Sequence, residues 1–182
     1  MARKPRILTT QVIAESRLFC IEELDLEFSN GVRTRYERLR SAGNGAVLIV
    51  PFIDPDTVLL IREYAAGTER YELGLPKGRV ENDEDLILAA NRELREEVGY
   101  GARDLHHLTG LTLAPGYLGH HTQIIIAQDL YPDRLPGDEP EELEVLPWKV
   151  DALDRLFARE DFTEARSIAA LYLARDYLRN RS

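Results

Sequence analysis

Between Gly78 and Gly99 the chain reads GRVENDEDLILAANRELREEVG, and this stretch decides how the rest is organised. Asn82 or Asp83 can cap a helix running from about Glu84 to Val98, and Gly99 suits the left-handed residue that closes it. Leu86, Ala89, Ala90 and Leu94 recur at helical spacing and give the helix an apolar stripe to bury. Glu93, Glu96 and Glu97 share one region of its surface. Like charges so placed repel by ~0.2–0.5 kcal/mol per pair, and a merely solvated helix would more often alternate glutamate with lysine. Mg²⁺ takes hard oxygen ligands while keeping several waters, so carboxylates clustered on one rigid helix are a candidate cation site. The plainer alternative is a solvent-facing charged helix in which Arg92 and Glu96 form an ordinary surface pair.

Before this helix, Leu24 to Arg38 alternates apolar and polar residues around Asn30-Gly31, which is the pattern of a β-hairpin. The apolar run Ala46 to Ile53, the turn Asp54-Pro55-Asp56 and the run Thr57 to Ile61 read as two buried neighbouring strands. Leu75-Pro76-Lys77-Gly78 is a glycine-bearing loop leading into the helix. Beyond Gly99, strands are expected near Leu108 to Leu113 and Gln123 to Ala127. An acidic, proline-rich loop from Tyr131 to Trp148 follows, with a short strand near Glu144 to Leu146. Two helices, Asp151 to Ala158 and Thr163 to Leu178, close the chain. Strands interrupted by one helix and followed by others predict an α/β fold with a sheet covered on both faces. The break falls near the Gly43-Asn44-Gly45 loop, giving residues 1–43 as an N-terminal β-hairpin subdomain and 44–182 as the main domain.

A chain of 182 residues can bury a proper core unaided. Its single cysteine, Cys20, cannot form an internal disulfide and suits a reducing, cytoplasmic setting. No apolar run reaches the ~18 residues of a membrane span, and no apolar segment follows the basic N-terminus to make a secretion signal. The net charge of −9 disfavours nucleic acid as a partner, since that affinity comes mainly from lysine and arginine on phosphates. A small phosphorylated ligand is still compatible, because bound cations reverse the local field. The adjacent pairs His106-His107 and His120-His121 would point to opposite faces of a strand, so neither makes a metal site. Trp148 and Cys20 are most simply core residues.

Gly78, Glu84, Arg92, Glu93, Leu94, Glu96, Glu97 and Gly99 stand at the spacing of the Nudix box: glycine, five residues, glutamate, seven residues, then Arg-Glu-aliphatic-any-Glu-Glu-any-Gly. Every fixed position matches. The soft departure is Tyr100, where the family usually has an aliphatic residue. The chain thus resembles the Nudix hydrolases, which implies a mixed β-sheet sandwiched between helices, here with a small N-terminal antiparallel sheet. The resemblance also implies Mg²⁺, with Mn²⁺ as a possible substitute. Glu93 and Glu97 would be the principal ligands, Glu96 a shared or water-mediated one, and the Lys77 carbonyl a further candidate. Arg92 would orient the glutamates and Glu84 would brace the helix. Water attacks a diphosphate phosphorus in these enzymes, and a glutamate of a loop beyond the box often acts as base. By similarity to ADP-ribose pyrophosphatases that residue would be Glu141, with Glu142 second.

Several further residues resemble the ADP-ribose pyrophosphatase branch. Pro115 stands where that branch carries its marker proline, and Arg62 and Glu72 where it carries substrate-contacting residues. Ser16-Arg17-Leu18-Phe19, Tyr71-Glu72-Leu73-Gly74 and Glu164-Ala165-Arg166 resemble the bacterial hydrolases of ADP compounds, which accept ADP-ribose, NADH and diadenosine polyphosphates. Leu-Pro-Lys-Gly replaces the Pro-Ala-Gly common in the branch. Related enzymes form homodimers in which the N-terminal sheet reaches the partner's site, so Phe28 or Arg33 would contact substrate in trans. The alternative for Arg33, Arg35, Arg38 and Arg40 is a charged edge strand that discourages aggregation. Other functions open to the same box are hydrolysis of nucleoside triphosphates and, were catalysis lost, sensing of ADP-ribose.

Overall fold

The computed structural model describes residues 3–41, 43–81 and 83–180, which fall into two units. One holds residues 3–41 with Thr112–His120, and the other Gly43–Leu111 with residues 121–180.

The first unit is a three-stranded antiparallel sheet of β1 (Arg6–Glu15), β2 (Cys20–Glu27) and β3 (Arg33–Leu39), with β2 in the middle. The expected hairpin is present from Cys20 onward, and β1 is an additional strand ahead of it. Its turn follows the Asn-Gly chemistry: Gly31 takes φ +82° and the Asn30 side chain accepts from Val32 N at 3.1 Å. The arginines of β3 are spent across the sheet. Arg33 meets Glu27 at 2.8 Å, Arg35 meets Asp25 at 3.3 Å, and Arg38 meets the buried Glu22 at 2.8 Å. The 112–120 segment joins this unit where Leu39 N donates to Tyr117 O at 2.8 Å.

In the second unit the run AVLIVPF has no polar residue to turn toward water, so its strand must be buried on both faces. This is β4 (Ala46–Asp54), antiparallel to β5 (Thr57–Ala65) on one side and parallel to β9 (His121–Pro132) on the other. The sheet continues with β10 (Glu144–Lys149) beyond β5 and β8 (Tyr100–Thr112) beyond β9; β6 (Arg70–Gly74) pairs with β5 and β7 (Lys77–Arg79) with β4. Val47, Ile49, Leu59 and Ile61 pack against Ala89, Ala90 and Leu94 of the central helix. The alternate residues Leu48, Val50, Val58 and Leu60 pack against α2 (Leu153–Phe157) and α3 (Ala165–Arg179) on the opposite face. The mixed sheet between helices anticipated from the sequence is therefore the fold observed.

The central helix departs from the reading in two places. Its cap is Asp85, not Asp83: Asp85 is extended and accepts from Ile87 N and Leu88 N, whereas Asp83 takes φ +62° and makes no cap. The other candidate, Asn82, lies outside the described residues. The α-helical part, α1, spans Leu86–Glu93, and Leu94–Val98 continues it as a π-turn closed by Gly99 at φ +82°. β7 forms where the sequence was read as loop, and β6 is a further strand that the reading did not assign, each held by a longer neighbour. Trp148 is partly buried against the core and its indole donates to Ala152 O at 3.0 Å.

Candidate active site

β7 lies antiparallel to β4 with Gly78 opposite Val47, which brings the Lys77-Gly78 backbone against the end of α1. Lys77 N donates to Glu97 Oε2 at 2.8 Å. A Cβ on Gly78 would stand 1.9 Å from the Glu93 carboxyl carbon, so only glycine leaves that carboxylate its place. Arg92 ties the cluster together. It donates to Glu84 Oε1 at 3.0 Å, Glu93 Oε1 at 2.7 Å, Glu96 Oε2 at 2.9 Å and the Arg79 carbonyl at 3.0 Å. Glu84 also accepts from Glu81 N, which bends the preceding loop onto the helix.

Burial sets the electrostatics. Glu97, only 6 % exposed, has its carboxyl pushed up to about 8, mainly because burial disfavours the charged form. Burial also raises Glu93 although Arg92 pulls it down, whereas Arg92 holds the more open Glu84 below its ordinary value. Two acidic groups are thus buried on the same helix end, Glu93 bonded to the Arg92 guanidinium and Glu97 to the Lys77 N–H. Among the described residues no three His, Cys, Asp or Glu side chains converge as a ready cage. The π-turn rotates Glu97 away from the alignment an α-helix would give it with Glu93, and Arg92 draws Glu93 and Glu96 to itself. The donor set still fits Mg²⁺, a hard cation that takes one or two carboxylates and keeps several waters.

Residues 133–143 face this cluster. Glu93, Glu96, Glu97, Glu139, Glu141 and Glu142 line one cavity of about 450 Å³. The loop's start is fastened to the helix end: Asp133 N donates to Gly99 O at 3.0 Å and Leu135 N to Arg95 O at 3.2 Å. Glu141 accepts from the Tyr71 hydroxyl at 2.6 Å, which in turn raises Tyr71 above the ordinary phenol range. Glu142 is largely open to water, 3.8 Å from Arg134. Glu139 is raised by burial and by the nearby Glu63 and Asp138.

The NUDIX domain model matches residues 44–171, more than half of the chain. The chain belongs to the Nudix hydrolase family. A second model, the NudE-type Nudix hydrolase N-terminal domain, matches residues 5–38. The ADP compounds hydrolase NudE of Escherichia coli (strain K12) is 51 % identical over 177 residues, covering 97 % of this chain and 95 % of that protein. The ADP-ribose pyrophosphatase of Bacillus subtilis (strain 168) is 29 % identical, covering 91 % and 93 %. A crystal structure of ADP compounds hydrolase superposes with a TM-score of 0.94 at 50 % identity, covering 100 % of this chain and 98 % of that one. Nudix hydrolases generally require a divalent cation.

With the Nudix box located, the other residues singled out from the sequence can be placed. The structure brings Lys77, Glu84, Arg92, Glu93, Glu96 and Glu97 together and sets Glu141 and Glu142 across the cavity from them. Arg62 lies outside that group, bonded to Glu144 at 2.8 Å and Asp161 at 2.5 Å. Glu72 meets Arg70 at 2.8 Å and Thr163 at 3.3 Å. Phe28, Arg33 and Pro115 belong to the N-terminal unit, where the Phe28 ring lies 6.3 Å from Tyr36. Three contacts near the site were not read from the sequence: the Lys77 ammonium pairing with Glu63, the Tyr71 hydroxyl on Glu141, and Ser167, whose Oγ accepts from Leu75 N. None of the three sits in a spacing pattern, because each partner is supplied by a different element. Among the described residues no helix is long and apolar enough to cross a membrane.

Proposed function

We propose that this Nudix hydrolase cleaves the diphosphate bond of ADP-linked compounds, ADP-ribose, NADH and diadenosine polyphosphates among them, releasing AMP with Mg²⁺ as cofactor and Mn²⁺ as a substitute. The observation that carries the chemistry is the pair of buried carboxylates, Glu93 and Glu97, set between the Lys77-Gly78 backbone and Arg92 and facing an acidic loop. The choice of substrate is supported by the N-terminal segment, which matches the NudE type, and by 51 % identity along nearly the whole length of an ADP compounds hydrolase.

Glu93 and Glu97 would hold the cation, with Glu96 and the Lys77 carbonyl assisting. The bound cation supplies an acidified water and neutralises charge on the phosphoryl oxygens. Arg92 keeps Glu93 and Glu96 in register and shields their repulsion. Glu141, with Glu142 second, would take the proton from the attacking water; Glu141 must first leave the Tyr71 hydroxyl. We further propose a cytoplasmic homodimer in which residues 1–43 form the dimer contact and Phe28 or Arg33 contacts the adenine or a phosphate in the neighbouring site, with Arg62, Glu72 and Pro115 as further substrate contacts.

Incubation with ADP-ribose, NADH, diadenosine triphosphate, ADP-glucose and a nucleoside triphosphate, with and without EDTA, tests the proposal. AMP from the ADP-linked compounds, abolished by EDTA, is the expected result. Cleavage of the triphosphate alone would move the enzyme to nucleotide sanitation. Tight ADP-ribose binding without cleavage would make it a sensor.

A further inference from the structure

The start of α3 is built around a buried network that the chemistry proposed so far does not use. Glu164 caps the helix: its Oε2 accepts from Ser167 N at 2.7 Å and from the Ser167 hydroxyl at 2.9 Å. Its Oε1 accepts from Arg166 Nε at 2.7 Å. Burial alone would raise this carboxyl, but Arg166 and Ser167 leave it below its ordinary value, so it stays an acceptor. Arg166 in turn donates to the buried Thr122 Oγ1 at 3.2 Å, which fixes the cap against β9.

Ser167 is 1 % exposed, and its hydroxyl has two tasks. The proton goes to Glu164, which leaves an oxygen lone pair for the residue just past β6, where Leu75 N donates at 3.1 Å. Leu75 is fully buried, so its N–H has no water to turn to. The next groups along the chain are pinned as well. Pro76 O accepts from Ile49 N at 2.8 Å, and Lys77 N donates to Glu97 Oε2 at 2.8 Å. Three consecutive residues leading to Gly78 are therefore fixed in turn by α3, by β4 and by the carboxylate cluster.

We propose that Ser167, oriented by Glu164, is a positioning residue for the cation site, acting through Leu75 to hold the Lys77-Gly78 backbone against Glu93 and Glu97. This inference rests on the cation-site reading given above. It extends that site to a helix on the opposite face of the sheet, 92 residues away in sequence from the loop it holds.

The test uses the full chain and Mn²⁺ alone as probe, with free Mn²⁺ followed by electron paramagnetic resonance. Ser167→Ala removes the acceptor and should weaken Mn²⁺ affinity about 10-fold, with faster amide exchange at Leu75. Ala170→Gly, a buried position on the same helix whose side chain has no group to join the Glu164–Ser167–Leu75 hydrogen bonds, serves as control for general destabilisation. It should lower the melting temperature and keep Mn²⁺ affinity within about twofold. Wild-type Mn²⁺ affinity in a folded Ser167→Ala would overturn the positioning role and leave an ordinary helix cap. Should Ser167→Ala fail to fold, Glu164→Gln decides, since it keeps the hydroxyl but weakens its orientation. An affinity loss of about threefold supports the role, and an unchanged affinity ends it. Glu97→Gln is run alongside. Undiminished Mn²⁺ binding in that variant would sink the cation site itself, whereas loss there with none in Ser167→Ala removes only the positioning role.

Discussion

Gly78→Ala separates chemistry from folding. The backbone at Gly78 has no positive φ, so alanine is tolerated there and gains about 0.4–1 kcal/mol by restricting the unfolded chain. The obstruction is the Glu93 carboxylate, whose carbon would lie 1.9 Å from the new methyl, against at least 3.4 Å for ordinary contact. Glu93 must retreat by about 1.5 Å, and the 2.7 Å bond to Arg92 goes with it. Losing that charge-assisted bond and pushing a χ angle off its well costs about 2–4 kcal/mol, partly offset by the alanine gain. The fold should survive with a net loss of about 1–3 kcal/mol. Turnover should not, since a displacement near 1 Å in a catalytic group costs about 100-fold. AMP release at saturating Mg²⁺ and a thermal melt in EDTA would measure the two quantities, with a Mn²⁺ titration to follow cation affinity. Turnover within threefold of wild type, in a protein that melts normally, would refute the view that this cradle fixes Glu93.

Glu97→Gln should cut turnover by about 100-fold or more, while the melting temperature in EDTA holds or rises, because a neutral amide avoids burying charge; near-normal turnover would refute the role given to Glu97. The same group makes cation-free stability fall with pH. Its folded value of about 8 lies above the ordinary 4.5, so the folded state binds the extra proton, the contribution is full below pH 4.5, and it is lost as pH climbs to about 8. At ~1.4 kcal/mol per pH unit the ceiling is about 5 kcal/mol, so the melting-temperature gap between Mg²⁺ and EDTA samples should widen from pH 5 to 8; a constant gap would contradict it. In the acidic loop, Glu141→Gln should lower kcat by about 100-fold or more with KM little changed, and Glu142→Gln far less. The reverse order would transfer the base to Glu142, and a large loss in Glu139→Gln alone would transfer it to Glu139.

What was legible in the sequence was what repeats locally. The box and its helix, the buried strands β4 and β5 and the Asn-Gly hairpin each rest on neighbours within a few positions, and the sandwiched sheet follows from their order. The helix start was misplaced because Asp83 and Asp85 both have capping chemistry, and backbone conformation chose between them: Asp83 is left-handed and Asp85 extended. The π-turn left no trace, since LREEV suits an α-helix equally well. β1, β6 and β7 are stabilised by the strands beside them more than by their own pattern. The Tyr71–Glu141 and Leu75–Ser167 bonds join residues 70 and 92 positions apart, and no spacing rule connects them.

The acidic balance of the chain and its choice of an anionic substrate are two sides of one arrangement. The cavity is walled by Glu93, Glu96, Glu97, Asp138, Glu139, Glu141 and Glu142, with Arg134 as its basic lining residue. Left to themselves, the buried members resist ionisation, which is why burial lifts both Glu93 and Glu97. Arg92 cannot relieve both: its guanidinium is divided among Glu84, Glu93 and Glu96, and Glu97 is left with a backbone N–H. On the proposed reading a divalent cation would relieve that strain and offset enough of the cluster's negative charge for a diphosphate to approach an otherwise repulsive cleft. Substrate affinity should therefore depend on cation occupancy more than on any single arginine. Arg62 and Arg33, each paired with an acidic partner, would have to exchange that partner for the substrate in order to contact it.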